Sequence, residues 1–512
     1  MSRGGIAKRA AVVLFALGLV LVAGCRQGHR PDTAAVPVGP SSGAVGVSYT
    51  FSSSAEDHDG DDVAIRFDWG DGDTSDWSDW IRPGDTVAMT HKWASPGTFS
   101  IKAQAKARNF TFSGWSDGCT FAVLRTFAKT FGGARNDWGN SVQQTQDGGY
   151  VVGGTTWSHG AGGADFWLVK TDADGNEVWD KSFGGTGDDE GYSVQQTQDG
   201  GYIIVGSTKS YGAGGEDVWL VRTDQSGNLV WDRTFGGEDA DWGESVRQTL
   251  DGGYIMCGTT WSYGAGFSDI WLIKTDSNGD TVWTRTFGGQ FGELGHSVQL
   301  TRDGGYVAAG RGYFRSCYVD DIQLVRVDAS GNEVWYQTFG GASFDGARSV
   351  QQTQDGGFVI GGYTESYGSG SRDAWVLKTN ANGVEVWNRT YGGTFYDECG
   401  SVYQTQDGGY VLTGSSDRGS GYPDLWLIRT DANGDTVWTR TFGGNGEDAG
   451  NSVQQTQDGG YIVAGTTESH GAGRSDAWLI KTDAEGNVDE GQGKDGFRVQ
   501  KSETRMQNEP GK

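Results

Sequence analysis

The stretch FGGARNDWGNSVQQTQDGGY, residues 131–150, returns six more times along the chain. Its opening triplet, Phe-Gly-Gly or once Tyr-Gly-Gly, begins at Phe131, Phe183, Phe235, Phe287, Phe339, Tyr391 and Phe442. These starts lie 52 residues apart five times and then 51 apart. A triplet Asp-Gly-Gly keeps the same register, at Asp147, Asp199, Asp251, Asp303, Asp355, Asp407 and Asp458. Such a fixed period indicates one supersecondary unit per repeat.

Each repeat contains four strand-like runs. In the first copy they cover residues 141–145, 150–155, 166–171 and 177–183. Gly- and Asn-containing turns join the runs, as hairpins require. Seven copies of four antiparallel strands predict a seven-bladed β-propeller, whereas a solenoid usually carries distinct caps at its ends.

The ends of the array predict how the ring closes. The fourth strand carries a Trp in six copies, but the seventh copy breaks off at residues 486–488. Residues 125–131 align with 281–287, and Phe127 then takes the position of Trp283. Residues 123–130 are therefore expected to supply the outer strand of the last blade, which removes a free sheet edge. The propeller is predicted over residues 123–488.

The bulk composition agrees with a turn-rich β protein. The 512 residues are only 35% hydrophobic, yet 12% are aromatic, and 88 are Gly. The formal net charge of −26 argues against a nucleic-acid partner, because phosphates are neutralised by Lys and Arg.

Residues 1–25 have the form of a signal peptide. Arg3, Lys8 and Arg9 precede an apolar stretch over residues 10–23, which ends in Val-Ala-Gly-Cys25. This ending resembles the lipobox of prokaryotic lipoproteins. The resemblance implies acylation of Cys25 and export to the cell envelope, with the membrane as a partner through the lipid anchor. The alternative is an ordinary signal peptide.

A polar tether over residues 26–36 leads to a first globular unit over residues 37–122. Its stretch Phe67-Asp68-Trp69-Gly70-Asp71-Gly72, together with residues 91–93 and 97–101, resembles the polycystic kidney disease (PKD) domain family. The resemblance implies an immunoglobulin-like β-sandwich that serves extracellular proteins as a spacer or adhesive module. At the other end of the chain, the polar residues 489–512 are predicted to be disordered.

A Trp in the third strand of six repeats is expected to pack between blades, and Gln323 is the exception. The run from Gly175 to Trp179 resembles the Trp-docking motif of quinoprotein propellers. Only the fold is implied, since no haem-binding Cys-x-x-Cys-His motif accompanies it.

A carboxylate stands six residues after the start of every repeat. This ring comprises Asp137, Asp189, Asp241, Glu293, Asp345, Asp397 and Asp448, each followed four residues later by a Ser. One interpretation is a binding face that attracts a cation such as Ca²⁺. The other is that each carboxylate caps local backbone N–H groups. A second ring, from Asp165 to Asp476, precedes the third strand and leaves the same two interpretations open.

The fourth repeat departs most from the others and is the best candidate for a specific contact. Its candidate residues are Tyr313, Phe314, Arg315 and Tyr318. In the PKD-like unit, Asp57, Asp59, Asp61 and Asp62 surround Gly60 and form either a Ca²⁺ site or a solvated acidic turn.

These features favour a non-catalytic adhesion lipoprotein of a prokaryotic cell surface. One propeller face would engage a polysaccharide or a surface protein. No nucleophile–base pair is recognisable in the sequence, and no cofactor other than Ca²⁺ suggests itself. The alternatives are a glycan-active enzyme built on channel carboxylates and a scaffold for envelope assembly.

Overall fold

A computed structural model describes residues 29–108, 111–313, 319–419, 421–488 and 498–502. All regular elements of these residues are β-strands. Because the described residues form no helix, they contain no helical segment that crosses a membrane. The predicted signal peptide with Cys25 lies outside the described residues. Two compact units share the chain: the first holds residues up to Gly39, Thr50–Met89 and Ser100–Cys119, and the second holds Pro40–Tyr49, Thr90–Phe99 and everything from Thr120 on.

Seven strands precede the repeats. They are β1 (Ser42–Ala44), β2 (Ser48–Ser54), β3 (Val63–Asp68), β4 (Thr86–Lys92), β5 (Gly97–Ala107), β6 (Phe112–Trp115) and β7 (Cys119–Leu124). In the first unit β3 pairs antiparallel with β5, and alternate residues such as Ile65, Phe67 and Ala103 are fully buried. In the second unit β1 pairs parallel with β7. The period-2 burial is that of sheets with one apolar face.

The repeats form seven antiparallel sheets in the described residues, six with four strands and one, that of the sixth repeat, with a fifth strand added at its edge. The first four consist of β9 (Asp137–Gln144), β10 (Tyr150–Thr156), β11 (Asp165–Thr171) and β12 (Glu177–Phe183); β13 (Asp189–Gln196), β14 (Tyr202–Thr208), β15 (Asp217–Thr223) and β16 (Leu229–Phe235); β17 (Asp241–Gln248), β18 (Tyr254–Thr260), β19 (Asp269–Thr275) and β20 (Thr281–Phe287); and β21 (Glu293–Leu300), β22 (Tyr306–Tyr313), β23 (Asp320–Val327) and β24 (Glu333–Phe339). The last three consist of β25 (Asp345–Gln352), β26 (Phe358–Thr364), β27 (Asp373–Thr379) and β28 (Glu385–Tyr391); β29 (Asp397–Gln404), β30 (Tyr410–Ser416), β31 (Asp424–Thr430) and β32 (Thr436–Gly443); and β33 (Asp448–Gln455), β34 (Tyr461–Thr467) and β35 (Asp476–Thr482), together with β8 (Phe127–Phe131).

The seventh sheet takes its fourth strand from the N-terminal side of the array. β8 pairs antiparallel with β35, and Phe127 lies opposite Lys481 as Trp283 lies opposite Lys274 in the third sheet. This is the pairing that the alignment of residues 125–131 with 281–287 predicts. A further strand, β36 (Arg498–Ser502), pairs antiparallel with β32, although the sequence analysis expected disorder there. The rest of 489–512 lies outside the described residues.

Neighbouring sheets share their apolar cores. Trp219 of the second sheet packs in one cluster with Val151, Phe166 and Leu168 of the first. The third-strand Trp therefore packs between sheets, as expected from the sequence. Another cluster contains Val152 of the first sheet and Leu479 of the seventh. The second and third strands are buried along both faces, which explains their nearly continuous apolar runs.

Serine side chains tie the first strand of each sheet to the first strand of the next. The Val N–H donates to a Ser hydroxyl of the neighbouring sheet at 3.2–3.4 Å. The pairs are Val194–Ser141, Val246–Ser193, Val298–Ser245, Val350–Ser297, Val402–Ser349, Val453–Ser401 and Val142–Ser452. The last pair joins the first sheet to the seventh.

Candidate functional site

The first-strand carboxylates are buried caps of the loops around them. Asp137 accepts a hydrogen bond from the Gly133 N–H at 2.8 Å and from the Ser158 hydroxyl at 2.6 Å, and the Thr156 hydroxyl donates to it as well. All seven carboxylates accept the equivalent glycine N–H at 2.8–3.1 Å. Their residues are only 0–4% exposed. They consequently offer no carboxylate ring on the surface, and the geometry is that of local backbone capping.

Each of these carboxylates also faces one from the second ring, across a glycine. A Cβ at Gly184 would lie 2.0 Å from Asp165 Oδ1 and 2.7 Å from Asp189 Oδ2. The same cradle recurs at Gly132, Gly236, Gly288, Gly340, Gly392 and Gly443. Burial, with the charge of Asp189, raises the pKa of Asp165 to about 6. Burial, with the charge of Asp397, raises that of Asp373 to about 7. Two carboxyl groups this close favour a proton or a cation between them.

The fourth sheet differs from the first two sheets in the side-chain contact between its third and fourth strands. In the first and second sheets the third-strand Trp donates its indole N–H to an aspartate of the fourth strand, as Trp219 does to Asp232 at 3.0 Å. In the fourth sheet Gln323 and Tyr336 replace this pair, and the Tyr336 hydroxyl donates to the Gln323 side chain. The exchange of both partners distinguishes the fourth sheet from the first and second.

A cavity of about 480 Å³ lies beside Gln323 and Tyr336. It is lined by the aromatic rings of Phe291, Tyr313 and Tyr336 and by the polar side chains of Glu293, Gln323 and Glu333. Burial raises the pKa of Glu293 to about 7, with further contributions from Asp269 and Asp320, although the Gly289 N–H works against it. Aromatic faces beside a few hydrogen-bonding groups are typical of sites for small polar ligands.

Two of the residues predicted for the binding face meet in this cavity, namely Glu293 and Tyr313. Phe314, Arg315 and Tyr318 lie outside the described residues. Glu333 and Tyr336, which belong to the fourth strand, were not predicted from the sequence. The available signal was a paired exchange, since Gln323 and Tyr336 both depart from the repeat in the same copy.

The acidic loop of the first unit is held by hydrogen bonds of its own. Asp57 Oδ1 accepts the backbone N–H groups of Asp59 and Asp61 at 2.9 and 3.1 Å. Asp62 pairs with Arg108 at 2.8 Å. The four aspartates bring no three ligand atoms together within the residues described, and the Ca²⁺ site stays a prediction.

Residues 33–109 match the family model of the PKD domain, which confirms the resemblance drawn from the sequence. This part of the chain is a PKD domain and indicates an extracellular or surface protein. Among solved structures, the PKD domain of an M14-like peptidase from a Thermoplasmatales archaeon is 27% identical, with a TM-score of 0.18, and the match covers 19% of this chain and 97% of that one.

Two further structures come from B. thetaiotaomicron. The extracellular domain of a one-component system is 10% identical, has a TM-score of 0.41, and is matched over 77% of this chain and 45% of its own. That of a hybrid two-component system is 9% identical, with a TM-score of 0.39, over 84% and 50%. The present chain thus spans about half of each. No curated protein matches the chain.

Proposed function

We propose that this chain is a non-catalytic, lipid-anchored binding protein of a prokaryotic cell surface that engages a polysaccharide. Its PKD domain serves as a spacer, and its seven sheets form a closed seven-bladed β-propeller. The cavity of the fourth sheet is the observation that carries the proposal, because it combines three aromatic rings with carboxylate and amide groups. The lipobox-like sequence ending at Cys25 supports the anchor.

Three contacts support closure of the ring. β8 completes the seventh sheet, the Val142 N–H donates to the Ser452 hydroxyl, and the first and seventh sheets share an apolar cluster. In a closed ring the seven first strands line a central channel.

Sugar recognition fits the chemistry of the cavity. Pyranose rings stack on aromatic faces through their C–H groups, and their hydroxyls donate to carboxylates and amides. Phe291, Tyr313 and Tyr336 supply the faces, and the exposed carboxylate of Glu333 supplies an acceptor.

The test is binding of the chain from residue 26 onwards to a panel of cell-wall and extracellular polysaccharides, with Ca²⁺ and with a chelator. Tyr313→Ala should weaken binding about tenfold or more, as expected for an aromatic anchor. Trp261→Ala is the matched control, because Trp261 holds the corresponding position beside the third sheet, and it should leave binding unchanged. Equal effects of the two variants would contradict the assignment, and binding to proteins alone would replace polysaccharide as the partner.

A glycan-active enzyme is the second candidate. Glu293, with its raised pKa, and Glu333 line the same cavity, and such a pair suits general acid–base chemistry. Release of shortened sugars from any bound polysaccharide, abolished by Glu293→Gln, would establish this activity in place of simple binding.

A further inference from the structure

Every first strand of the seven sheets contains a β-bulge at the same place. The extra residue has no pairing partner on the second strand. It lies between a small residue and the Ser that recurs in every repeat. The seven bulge residues are Asn140, Tyr192, Glu244, His296, Arg348, Gly400 and Asn451. A bulge re-aims the side chain of its extra residue and is common beside functional sites. The residues around this position are nearly the same in all seven repeats. The bulge residue itself varies, from an amide to an aromatic ring, a carboxyl group, an imidazole, a guanidinium and a glycine.

In three sheets the bulge side chain serves the structure itself. The Asn140 side-chain N–H donates to the carbonyl of Gly191 in the next sheet at 2.8 Å. Asn451 donates to the Gly139 carbonyl at 3.1 Å. The Tyr192 hydroxyl donates to Glu190 at 2.7 Å. The two asparagine contacts show that a side chain at the bulge position can reach the backbone of a neighbouring sheet.

The third, fourth and fifth sheets differ. The side chains of Glu244, His296 and Arg348 make no hydrogen bond to another residue in the described part of the chain. His296 Nδ1 lies 4.0 Å from Glu244 Oε2, and an Arg348 nitrogen lies 3.9 Å from Glu398. The His296 side chain is only 10% exposed, and its Nε2 is buried without a partner. Leaving a buried nitrogen such as His296 Nε2 unpaired is unfavourable, so native proteins seldom do it without a reason.

These three residues come from adjacent strands. The Val298 N–H donates to Ser245 and the Val350 N–H to Ser297, so the bulges of the third, fourth and fifth sheets lie side by side. The three therefore present a carboxyl group, an imidazole and a guanidinium in one row.

Their protonation follows from burial and from the neighbouring charges. Burial raises the pKa of Glu244 to about 7, with Glu190 adding to the shift and Arg348 and Arg311 opposing it. Burial, followed by the charges of Arg348 and Arg311, lowers the pKa of His296 well below its ordinary value. Near neutral pH the imidazole is uncharged and Arg348 carries the positive charge. Arg311 contributes a further buried donor, Nε, with no partner among the described residues.

We propose that Glu244, His296 and Arg348 form a binding site for a sugar that bears a carboxylate, such as a uronic acid. The guanidinium of Arg348 and the imidazole N–H of His296 pair with the sugar carboxylate, and Glu244 accepts a hydrogen bond from a sugar hydroxyl. The site is separate from the fourth-sheet cavity. It needs only three adjacent sheets, so it depends neither on that cavity nor on closure of the ring.

The test is calorimetric titration of the full chain with glucuronic acid, galacturonic acid and, as a neutral probe, glucose. We expect the two uronic acids to bind and glucose not to compete for this site. Arg348→Gln should weaken uronate binding about tenfold or more, as loss of a charged partner does. Glu244→Gln is the second variant, in case Arg348→Gln fails to fold, and should also weaken binding.

Asn140→Ala is the matched control at the same bulge position. It should lower the melting temperature through loss of the Gly191 contact and leave uronate affinity unchanged. Absence of uronate binding to the unaltered chain would overturn the proposal, and so would full affinity in Arg348→Gln or Glu244→Gln. Loss of uronate binding in Tyr313→Ala with retention in the bulge variants would move the site to the fourth-sheet cavity and would also overturn it.

Discussion

The third and fourth sheets have the same strand order and the same bulge, yet their interiors differ. In the third sheet Trp271 is buried against the ring of Tyr263, with centroids 5.4 Å apart. In the fourth sheet Gln323 occupies the equivalent position and accepts a hydrogen bond from Tyr336, and both residues line a cavity of about 480 Å³. The backbone register tolerates this exchange because the strand ladders and the Asp-Gly-Gly turns are unchanged. A repeat can therefore keep its fold through constant residues while single positions become free to bind.

The seventh sheet takes its outer strand, β8, from the N-terminal side of the repeats. Deletion of residues 127–131 removes β8, leaves β7 in place and exposes the edge of β35, so the melting temperature should fall by about 10 °C or more. Thermal unfolding followed by circular dichroism measures the change. Truncation after Val488, which removes β36, is the control with a smaller effect. An unchanged melt after loss of β8 would contradict closure by this strand.

Exchanging the two interiors tests the comparison of the third and fourth sheets directly. Trp271→Gln should lower the free energy of unfolding by about 3 kcal/mol, since it removes a buried aromatic ring. Gln323→Trp should place an indole in the cavity and abolish polysaccharide binding, at a cost of about 1–3 kcal/mol because it crowds Tyr336. Urea denaturation and binding assays on both variants provide the measurements. Full binding by Gln323→Trp would show that the cavity is not the site.

The two glycines of the sixth repeat's Tyr-Gly-Gly triplet differ in the space available for a side chain. A Cβ at Gly392 would lie 2.3 Å from Asp373 Oδ1 and 2.7 Å from Asp397 Oδ2, whereas a Cβ at Gly393 meets nothing within 4 Å. Gly392→Ala should cost about 2 kcal/mol of unfolding free energy and Gly393→Ala well under 1 kcal/mol. Equal losses of unfolding free energy for both variants in urea denaturation would mean that the two carboxylates move aside at little cost.

Two kinds of aspartate contribute to the stability of the fold in opposite ways as the pH changes. Asp165 and Asp373 bind protons more tightly in the folded chain, with pKa values of about 6 and 7, than in the unfolded chain. Their contribution to stability is thus present at pH 4 and is lost as the pH rises to about 7. Asp355 behaves oppositely. Burial raises its pKa, but hydrogen bonds from Lys378 and Thr353 outweigh this and lower it to about 2, so its contribution is lost only in stronger acid.

With a chelator present, the melting temperature should accordingly fall by a few degrees between pH 5 and pH 7.5. Asp165→Asn should flatten this slope, and a rise in melting temperature over the same range would contradict the assignment. Added Ca²⁺ that reverses the slope would show that a cation replaces the proton between the carboxylates.

The sequence predicted the strands of the repeats because the turn residues fix the register within each period. It also placed β8, because Phe127 stands where Trp283 stands. The PKD domain followed from a short local motif around Trp69. Each of these signals depends on spacing along the chain.

The contents of the sites could not be predicted in the same way. Asp165 and Asp189 are 24 positions apart, and only the fold brings them to one glycine. Likewise, the sequence does not show that the Asn140 side chain finds a hydrogen-bond partner in the next sheet while those of Glu244 and His296 do not. The difference lies in whether a side chain finds a partner, which depends on the geometry of the neighbouring sheet.

The pairing of β8 with β35 has a consequence for the way the chain acquires its structure. β8 is synthesised before any repeat, but its partner strand is synthesised after nearly all of them. The earliest strand of the array must wait, unpaired, while every later sheet is made. Contacts between such distant segments form slowly, so maturation ends with this one pairing and only in the completed chain. A polypeptide cut short during translation would keep two open edges and would be a preferred target for proteases and aggregation.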